Sequence, residues 1–445
     1  MVELRLDGVR DLDLDRLLDG PRLPVIVTCR PTWEGGSFDG SEDERRRLLG
    51  RALDLGAEYV DVEWRAGFAD LIARAPERAV VSSHDFDGVP RDLHDRVRAM
   101  RGTGAAVIKV AVAAARLSDT LPLRDIGREG NAVVIGMGDP GVPTRVLASH
   151  FASRWTYAGQ RVAPGQLPAS DMETRFRFRQ ITSATAVYGV VSSHALLSRS
   201  PILHNAAFAA GGIDAVYVPF QTDDFGDFLT FAEALGVAGA SVTIPFKQDA
   251  LRRAERTDEI ARVVGAANTL AHRADRWEAT NTDVDGFLQP LDAMYGDRLR
   301  DARASVLGAG GAARAAVVAL RSRGARVTVH ARREAQARDL AGLGAAAGPW
   351  PPVRRSWDVL VNATSVGGGA ARDASPLPEG PLDGALVYDL TYGTGESRLL
   401  RDARAAGCLT LDGMPMLVAQ AERQFAWWMG QPPVPGVMAA AGAFA

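Results

Sequence analysis

The sequence predicts an α/β protein in two halves, a parallel (β/α)-barrel half followed by one that ends in a doubly wound nucleotide fold. Three observations carry that prediction. Over the first ~170 residues, short apolar runs alternate with polar, arginine-rich helical runs, the rhythm of a parallel sheet with crossover helices. From residue 304, "ASVLGAGGAARAAVVAL" reads as a strand, a glycine turn and a helix. Finally, of 51 Lys+Arg only Lys109 and Lys247 are lysines, so 51 − 2 = 49 are arginines. Arginine cannot serve as an amine nucleophile or proton shuttle at neutral pH, whereas lysine can.

A length of 445 residues allows two or three domains. Hydrophobic content of 47% and charged content of 24% are ordinary for a globular chain. The net charge of −3 gives no footprint for nucleic acid or an anionic membrane. No apolar run is long enough to span a bilayer. The start, "MVELRLDGVRDLDLDRL", has acids where a signal peptide has its apolar stretch. Cys29 and Cys408 form no metal or redox spacing, and a reducing cytoplasm is the expected setting.

The strand candidates of the first half are "VELRLD", "PVIVTCR", "YVDVEWR", "AVVSSHD", "AAVIKVAV", "NAVVIGMG" and "HFASRWTYAG". Glu3 and Arg5 alternate on the first. Arg30 closes the second, with Glu34 in the loop beyond. Glu63 and then His84 end the next two, and Lys109 lies inside the fifth. Arg145 stands in the loop after the sixth, and Gln166 in "APGQ" follows the last. On a (β/α) barrel such positions converge on one mouth. A buried lysine with a depressed pKa attacks a ketone to form a Schiff base. A nearby histidine then removes the acidified proton and protonates a leaving hydroxyl, while an arginine forks the substrate carboxylate. These residues suggest a lyase or aldolase acting on a keto acid.

Segment 167–183 reads as a last helix running into a short linker, after which the strand "AVYGVV" opens the second half. In "LLSRSPILHN", Ser198 and Ser200 suit either a carboxylate at a helix start or a plain helix cap. "GASVTIPFKQ" puts Lys247 just after an apolar strand; "GAANTL" supplies Asn268 and "TNTDVDGF" Asp283. Gly308, Gly310 and Ala313 fit G-x-G-x-x-A, in which glycine lets a pyrophosphate approach the backbone at a helix N-terminus. The following strand ends in Arg332 and Arg333 instead of an acid, which favours the 2′-phosphate of NADP.

The pieces "ELRLD", "TCRPTWEGG", "VDVEW", "SSHDF", "IKVAV" and "APGQL" stand in the order of type I 3-dehydroquinate dehydratase, a Schiff-base TIM-barrel lyase, which the first half resembles. The resemblance implies Lys109 as the Schiff-base lysine, His84 as general acid/base and Glu34 as the supporting acid. It places Glu3, Arg5, Arg30, Arg145 and Gln166 in the substrate pocket. That family begins with a strand and helix before "ELRLD", which starts here at Val2. Seven strands are therefore expected where a closed barrel has eight.

Residues from about 185 to 430 resemble shikimate dehydrogenase, through "SRSP", "VTIPFK", "GAANTL", "NTD", "GAGGAAR", "NATSVG" and "GMPMLVAQA". The resemblance implies a Lys247–Asp283 catalytic dyad, with Ser198, Ser200, Asn268, Tyr392 and Gln420 binding substrate. It implies NADP against Gly308, Ala309, Gly310, Gly311, Ala312, Ala331, Arg332, Arg333, Thr364 and Gly413. The expected domains are a dehydratase barrel at 1–180, a substrate-binding domain at 184–290 completed by about 412–435, and a Rossmann NADP-binding domain at 300–411. Together the resemblances imply a bifunctional shikimate-pathway enzyme of the cytoplasm. It would dehydrate 3-dehydroquinate to 3-dehydroshikimate and reduce that to shikimate, with no metal, small-molecule substrates, and neither nucleic acid nor membrane as a partner. One alternative is a monofunctional shikimate dehydrogenase carrying an inactive or incomplete barrel. Another is a quinate dehydrogenase or nucleotide-binding sensor in the second half.

Overall fold

The computed structural model describes residues 1–9, 13–159, 163–380, 382–393 and 395–443. They divide into two compact units, the first drawn mainly from residues 1–184 and the second mainly from the rest.

The first unit is built on parallel strands β1 (Val2–Arg5), β2 (Val25–Thr28), β3 (Tyr59–Glu63), β4 (Ala79–Asp85), β5 (Val107–Ala113) and β6 (Ala132–Met137), hydrogen-bonded in chain order. Runs such as Val25–Thr28 are buried along their whole length, as befits a parallel sheet covered on both faces. The intervening helices are locally encoded. Glu42–Asp54 begins at Ser41, whose hydroxyl accepts from Glu44 N at 3.2 Å, and carries three acids in its first turn.

Register decides which side chains meet. Ser82 pairs with Lys109, Glu63 with Ser82, Asp61 with Thr28 and Arg5 with Thr28. Because alternate residues share a face, Glu3, Arg5, Arg30, Asp61, Glu63, Ser82, His84 and Lys109 all belong to one side of the wall.

One expected strand is absent. Among the described residues the sheet has six strands, not seven, and "HFASRWTYAG" is turn and irregular chain. Its link to β6 is a single backbone bond, Arg154 N to Ala132 O at 2.8 Å. Val134 N, free for a ladder partner, instead donates to the Ser153 hydroxyl at 3.1 Å. A side chain has replaced the backbone acceptor and ended the pairing. Trp155 and Tyr157 pack as apolar filling against Val80, Val107 and Val133.

The second unit holds two sheets. The first comprises β7 (Ala186–Ser192), β8 (Ala215–Gln221), β9 (Val237–Val242), β10 (Arg256–Thr257), β11 (Thr269–Arg273) and β12 (Arg276–Thr280). Its order is β10-β12-β11-β9-β7-β8, with β11 antiparallel to both neighbours. The second comprises β13 (Arg303–Leu307), β14 (Arg326–His330), β15 (Ala346–Gly348), β16 (Val359–Asn362), β17 (Leu386–Asp389) and β18 (Leu409–Leu411). Its order, β15-β14-β13-β16-β17-β18, is fully parallel and reverses direction between β13 and β16, where doubly wound sheets open their ligand crevice. Helices Asp283–Tyr295 and Gly413–Met429 approach closely, because a Cβ on Gly286 would meet the Gln420 Cβ at 2.6 Å.

Candidate active sites

In the first unit the polar face of the wall forms a buried, densely bonded cluster. Lys109 Nζ donates to Asp61 Oδ2 at 3.0 Å and lies 3.9 Å from Glu3 Oε1 and 4.5 Å from the Tyr157 ring centre. Arg30 donates to Asp61 Oδ2 at 2.9 Å, Glu63 Oε1 at 2.7 Å and Ser82 Oγ at 2.8 Å. Arg45, fully buried on its helix, also pairs with Glu63. Glu34 Oε1 accepts from His84 N at 3.0 Å and sits 3.0 Å from His84 Nδ1. Glu3 accepts from Thr28 Oγ1 at 2.8 Å, and Arg5 pairs with Asp7.

This arrangement overturns the expectation of a lysine with a depressed pKa. Burial does pull Lys109 down, but the Asp61 carboxylate, with Tyr157 and Glu3, outweighs it and holds the amine above its ordinary value. Burial also works against the charge of Asp61, yet Arg30 and Lys109 keep it well below the usual carboxylate range. Both partners are therefore ionised. His84 is held well below its usual value by burial, then by Arg30 and Lys109, so it is neutral. Burial, opposed by Arg30 and helped by Glu63, pushes Glu34 up to about 7.

Arg145 occupies the short helix Val142–Val146, not a loop, and is 2% exposed. Its Nη2 donates to Pro164 O at 3.0 Å, while its Nε is buried without a hydrogen-bond partner. Burial alone draws its guanidinium down to about 10. Arg30, by contrast, has spent its fork on internal carboxylates. Gln166 accepts from Ala163 N at 3.2 Å within its own turn.

In the second unit Lys247 begins a helix directly after "TIPF" and donates to Asp283 Oδ2 at 2.5 Å. The Asn268 amide reaches Asp283 Oδ1 at 2.8 Å, Thr282 Oγ1 at 2.9 Å and Gln420 Oε1 at 3.3 Å. Five predicted residues come from distant stretches: Lys247, Asn268, Asp283 and Gln420 meet through these bonds, and Tyr392 packs against the apolar cluster that contains Tyr217 and Phe425. Ser198 Oγ accepts from Ser200 N at 3.1 Å just ahead of the helix Ser200–Ala210, and the buried Ser200 hydroxyl bonds the Tyr217 side chain. Sequence reading missed a supporting chain: Tyr217 Oη donates to Ser241 Oγ at 2.6 Å, which donates to Gln424 Oε1 at 2.7 Å. The Gln424 amide holds Asn268 O at 3.1 Å.

A separate cleft of about 500 Å³ opens at the reversal point, lined among others by Gly308, Ala309, Gly310, Ala331, Arg332, Arg333 and Thr364. Gly308 has φ +102°, and a Cβ there would lie 3.0 Å from Ala363 O. Arg332 and Arg333 are exposed at its lip, and Asn362 Oδ1 anchors Thr364 by accepting from its N at 3.0 Å and its hydroxyl at 2.7 Å. The residues therefore fit a phosphorylated dinucleotide. Gly311 and Ala312 lie beyond this lining, in the helix Gly311–Ser322. A Cβ on Gly311 would meet Lys247 Cδ at 2.7 Å, so this glycine makes room for the lysine stem. Gly413 starts its helix against the backbone of Leu390, 2.4 Å from where a Cβ would sit.

An amine-centred lyase cluster in one unit and a lysine–aspartate site beside a dinucleotide cleft in the other define a two-site enzyme. The type I 3-dehydroquinase family matches residues 1–183, and the shikimate dehydrogenase substrate binding domain matches residues 190–270. The bifunctional 3-dehydroquinate dehydratase/shikimate dehydrogenase, chloroplastic, of Arabidopsis thaliana is 32% identical over 97% of this chain and 78% of that one. The shikimate dehydrogenase (NADP(+)) of Anaeromyxobacter dehalogenans is 41% identical over 57% of this chain and 94% of its own length. A solved shikimate 5-dehydrogenase from Thermus thermophilus, in complex with NADP(H) and shikimate, superposes with TM-score 0.53 at 34% identity, covering 58% of this chain and 99% of that chain. The chain belongs to the bifunctional 3-dehydroquinate dehydratase/shikimate dehydrogenase family.

Proposed function

We propose that the chain carries out two consecutive steps, each centred on one of its two lysines. In the first unit, residues 1–180, the Lys109 amine adds to the ketone of 3-dehydroquinate, and loss of water leaves an iminium that acidifies the neighbouring carbon. Neutral His84, with its Nδ1–H donated to Glu34, keeps the Nε2 lone pair to take that proton and later returns it to the departing hydroxyl. Arg145, whose buried Nε lacks a partner, is the group for the substrate carboxylate. Glu3, Arg5, Arg30 and Gln166 complete the pocket. Water then hydrolyses the product iminium, which breaks the C=N bond, restores the Lys109 amine and releases 3-dehydroshikimate.

The second unit reduces that product to shikimate. Residues 184–290, completed by 412–435, hold the substrate through Ser198, Ser200, Asn268, Tyr392 and Gln420. Residues 300–411 hold NADP, with the pyrophosphate at Gly308–Gly310 and the 2′-phosphate at Arg332 and Arg333. NADPH when bound supplies the hydride. Lys247 stabilises and protonates the carbonyl oxygen, and Asp283, steadied by Asn268, aims the ammonium.

The observation that carries this reading is that each lysine bonds a buried carboxylate within its own polar cluster. The substrates are small molecules, and the compartment is the cytoplasm. No helix among the described residues is long and apolar enough to cross a membrane. The test is a coupled assay that supplies 3-dehydroquinate and NADPH and follows shikimate. Lys109→Ala must fail from 3-dehydroquinate yet succeed from 3-dehydroshikimate; shikimate formed by this variant from 3-dehydroquinate would sink the assignment.

A further inference from the structure

We infer that Asp61 is the counter-ion of the dehydratase site, pairing with the Lys109 ammonium in the resting enzyme and with the iminium nitrogen that replaces it. This rests on the reading of Lys109 as the Schiff-base amine.

The geometry is specific. Asp61 is 0% exposed, and its Oδ2 is shared by Lys109 Nζ at 3.0 Å and Arg30 Nη2 at 2.9 Å. Its Oδ1 accepts from Ser82 Oγ at 2.5 Å. The carboxylate is thus fixed by β3, β4 and the end of β2, and the flexible lysine stem comes to it. A buried ammonium without such a partner would lose its proton. The other charged or titratable groups around the pair are Glu3, Arg5, Arg30, Glu34, Glu63, His84 and Tyr157. Glu3 is 3.9 Å from Nζ, which leaves Asp61 as the nearer carboxylate.

Charge conservation gives the pairing its chemical sense. The ammonium and the ketone become an iminium and water: the new C=N bond forms, the C=O bond breaks, and the oxygen leaves with two of the three ammonium protons. One positive charge sits on nitrogen before and after. A fixed anion beside that nitrogen therefore suits both ends of the step without reorganising, and it favours the cationic adduct over the neutral carbinolamine between them. The cost is that free amine is scarce in the resting enzyme, so attack requires the proton to move as the ketone arrives. Burial lowers and Asp61 raises the Lys109 pKa, with the carboxylates and Tyr157 together prevailing, in keeping with this arrangement.

The lysine count makes the test clean. With only Lys109 and Lys247 in the chain, protein labelled with ¹³C at the lysine Cε shows two resonances, assigned with Lys247→Arg. In wild type the Lys109 signal should stay that of an ammonium from about pH 6 to 10. In Asp61→Asn its titration should fall by about one to three pH units. The yield of borohydride-trapped adduct with 3-dehydroquinate should drop about tenfold or more in that variant, while reduction of 3-dehydroshikimate is unchanged. A wild-type Lys109 that titrates below an ordinary lysine overturns the pairing, even if Asp61→Asn does not fold. An unchanged titration or an unchanged adduct yield in folded Asp61→Asn also overturns it. Failure of the underlying reading looks different: wild type would give no borohydride label on Lys109, whatever its titration.

Discussion

Lys109 lies inside a buried strand, its side chain 6% exposed, with Asp61, Glu3 and the Tyr157 ring around its nitrogen. Lys247 stands at the first position of a helix, 14% exposed, with Asp283 as its ion-pair partner and a glycine under its stem. The difference follows the proposed chemistry. A lysine that becomes covalently attached is positively charged before the addition, as ammonium, and after it, as iminium, and benefits from a fixed, water-excluded anion at both ends. A lysine that assists a hydride transfer must meet a carbonyl oxygen near a cofactor cleft. It needs a short, well-aimed hydrogen bond at the edge of that cleft and no deep burial. The surroundings differ because the strand interior excludes water and the helix start does not.

The sharpest way to break this comparison is to exchange the amine for a permanent cation. Lys109→Arg keeps the charge beside Asp61 but removes the nucleophile, and dehydration should fall on the order of a thousandfold or more. Retained activity would mean that charge alone mattered. The same variant should reduce 3-dehydroshikimate normally. Lys247→Ala should cost reduction about a hundred- to a thousandfold in kcat, the effect of losing one donor to a developing oxyanion, and leave dehydration untouched. Steady-state assays of both half-reactions on both variants check this, and cross-effects would show that the sites depend on each other.

Arg332→Ala tests the cleft that serves Lys247. One charge-assisted contact to a 2′-phosphate is worth roughly 1.5–3 kcal/mol, so the kcat/KM preference for NADPH over NADH should shrink about ten- to hundredfold. Equal use of both cofactors by the wild type would contradict the prediction.

The smallest effect expected is on pH dependence. Glu34 must be ionised to accept Nδ1–H from His84, and its pKa is pushed up to about 7. Dehydratase kcat/KM should therefore be full above that pH and decline as pH falls through it. Glu34→Gln should remove that acid limb along with part of the activity. A flat profile between about pH 6 and 8 in wild type would show that Glu34 does not control His84. The reduction step should show no matching limb, since the Lys247 cluster of Asp283, Asn268 and Gln420 contains no histidine–glutamate pair.

Much of both sites could be read from residue order. In the first unit, Arg30, His84 and Lys109 fall on one face because strand residues alternate sides and parallel strands keep register; motif and parity agree. In the second, Lys247 follows β9, Asn268 precedes β11 and Asp283 follows β12, and the antiparallel pairing of β11 with both neighbours brings those ends together. The same parity could have revealed Asp61, two residues before Glu63 in "VDVEW", but an acid inside an apolar run stands out only once its cationic partners are known. Likewise Gln424 lies one helical turn beyond Gln420, and nothing in the local pattern distinguishes it.

The sequence by itself determined the α/β class, the glycine turn with its arginine-ended neighbouring strand, and the two places where an amine is kept. Those are local properties: apolar periodicity, backbone freedom at glycine, and the chemical limits of arginine. Only the tertiary structure decided the charge on Lys109, because that depends on a carboxylate 48 positions away brought to 3.0 Å by cross-strand register. It also decided the fate of the run at 150–159, where the Ser153 hydroxyl took the hydrogen bond that a seventh strand needed. Electrostatic coupling and ladder competition are set by distances between remote parts of the chain, and no local pattern encodes them.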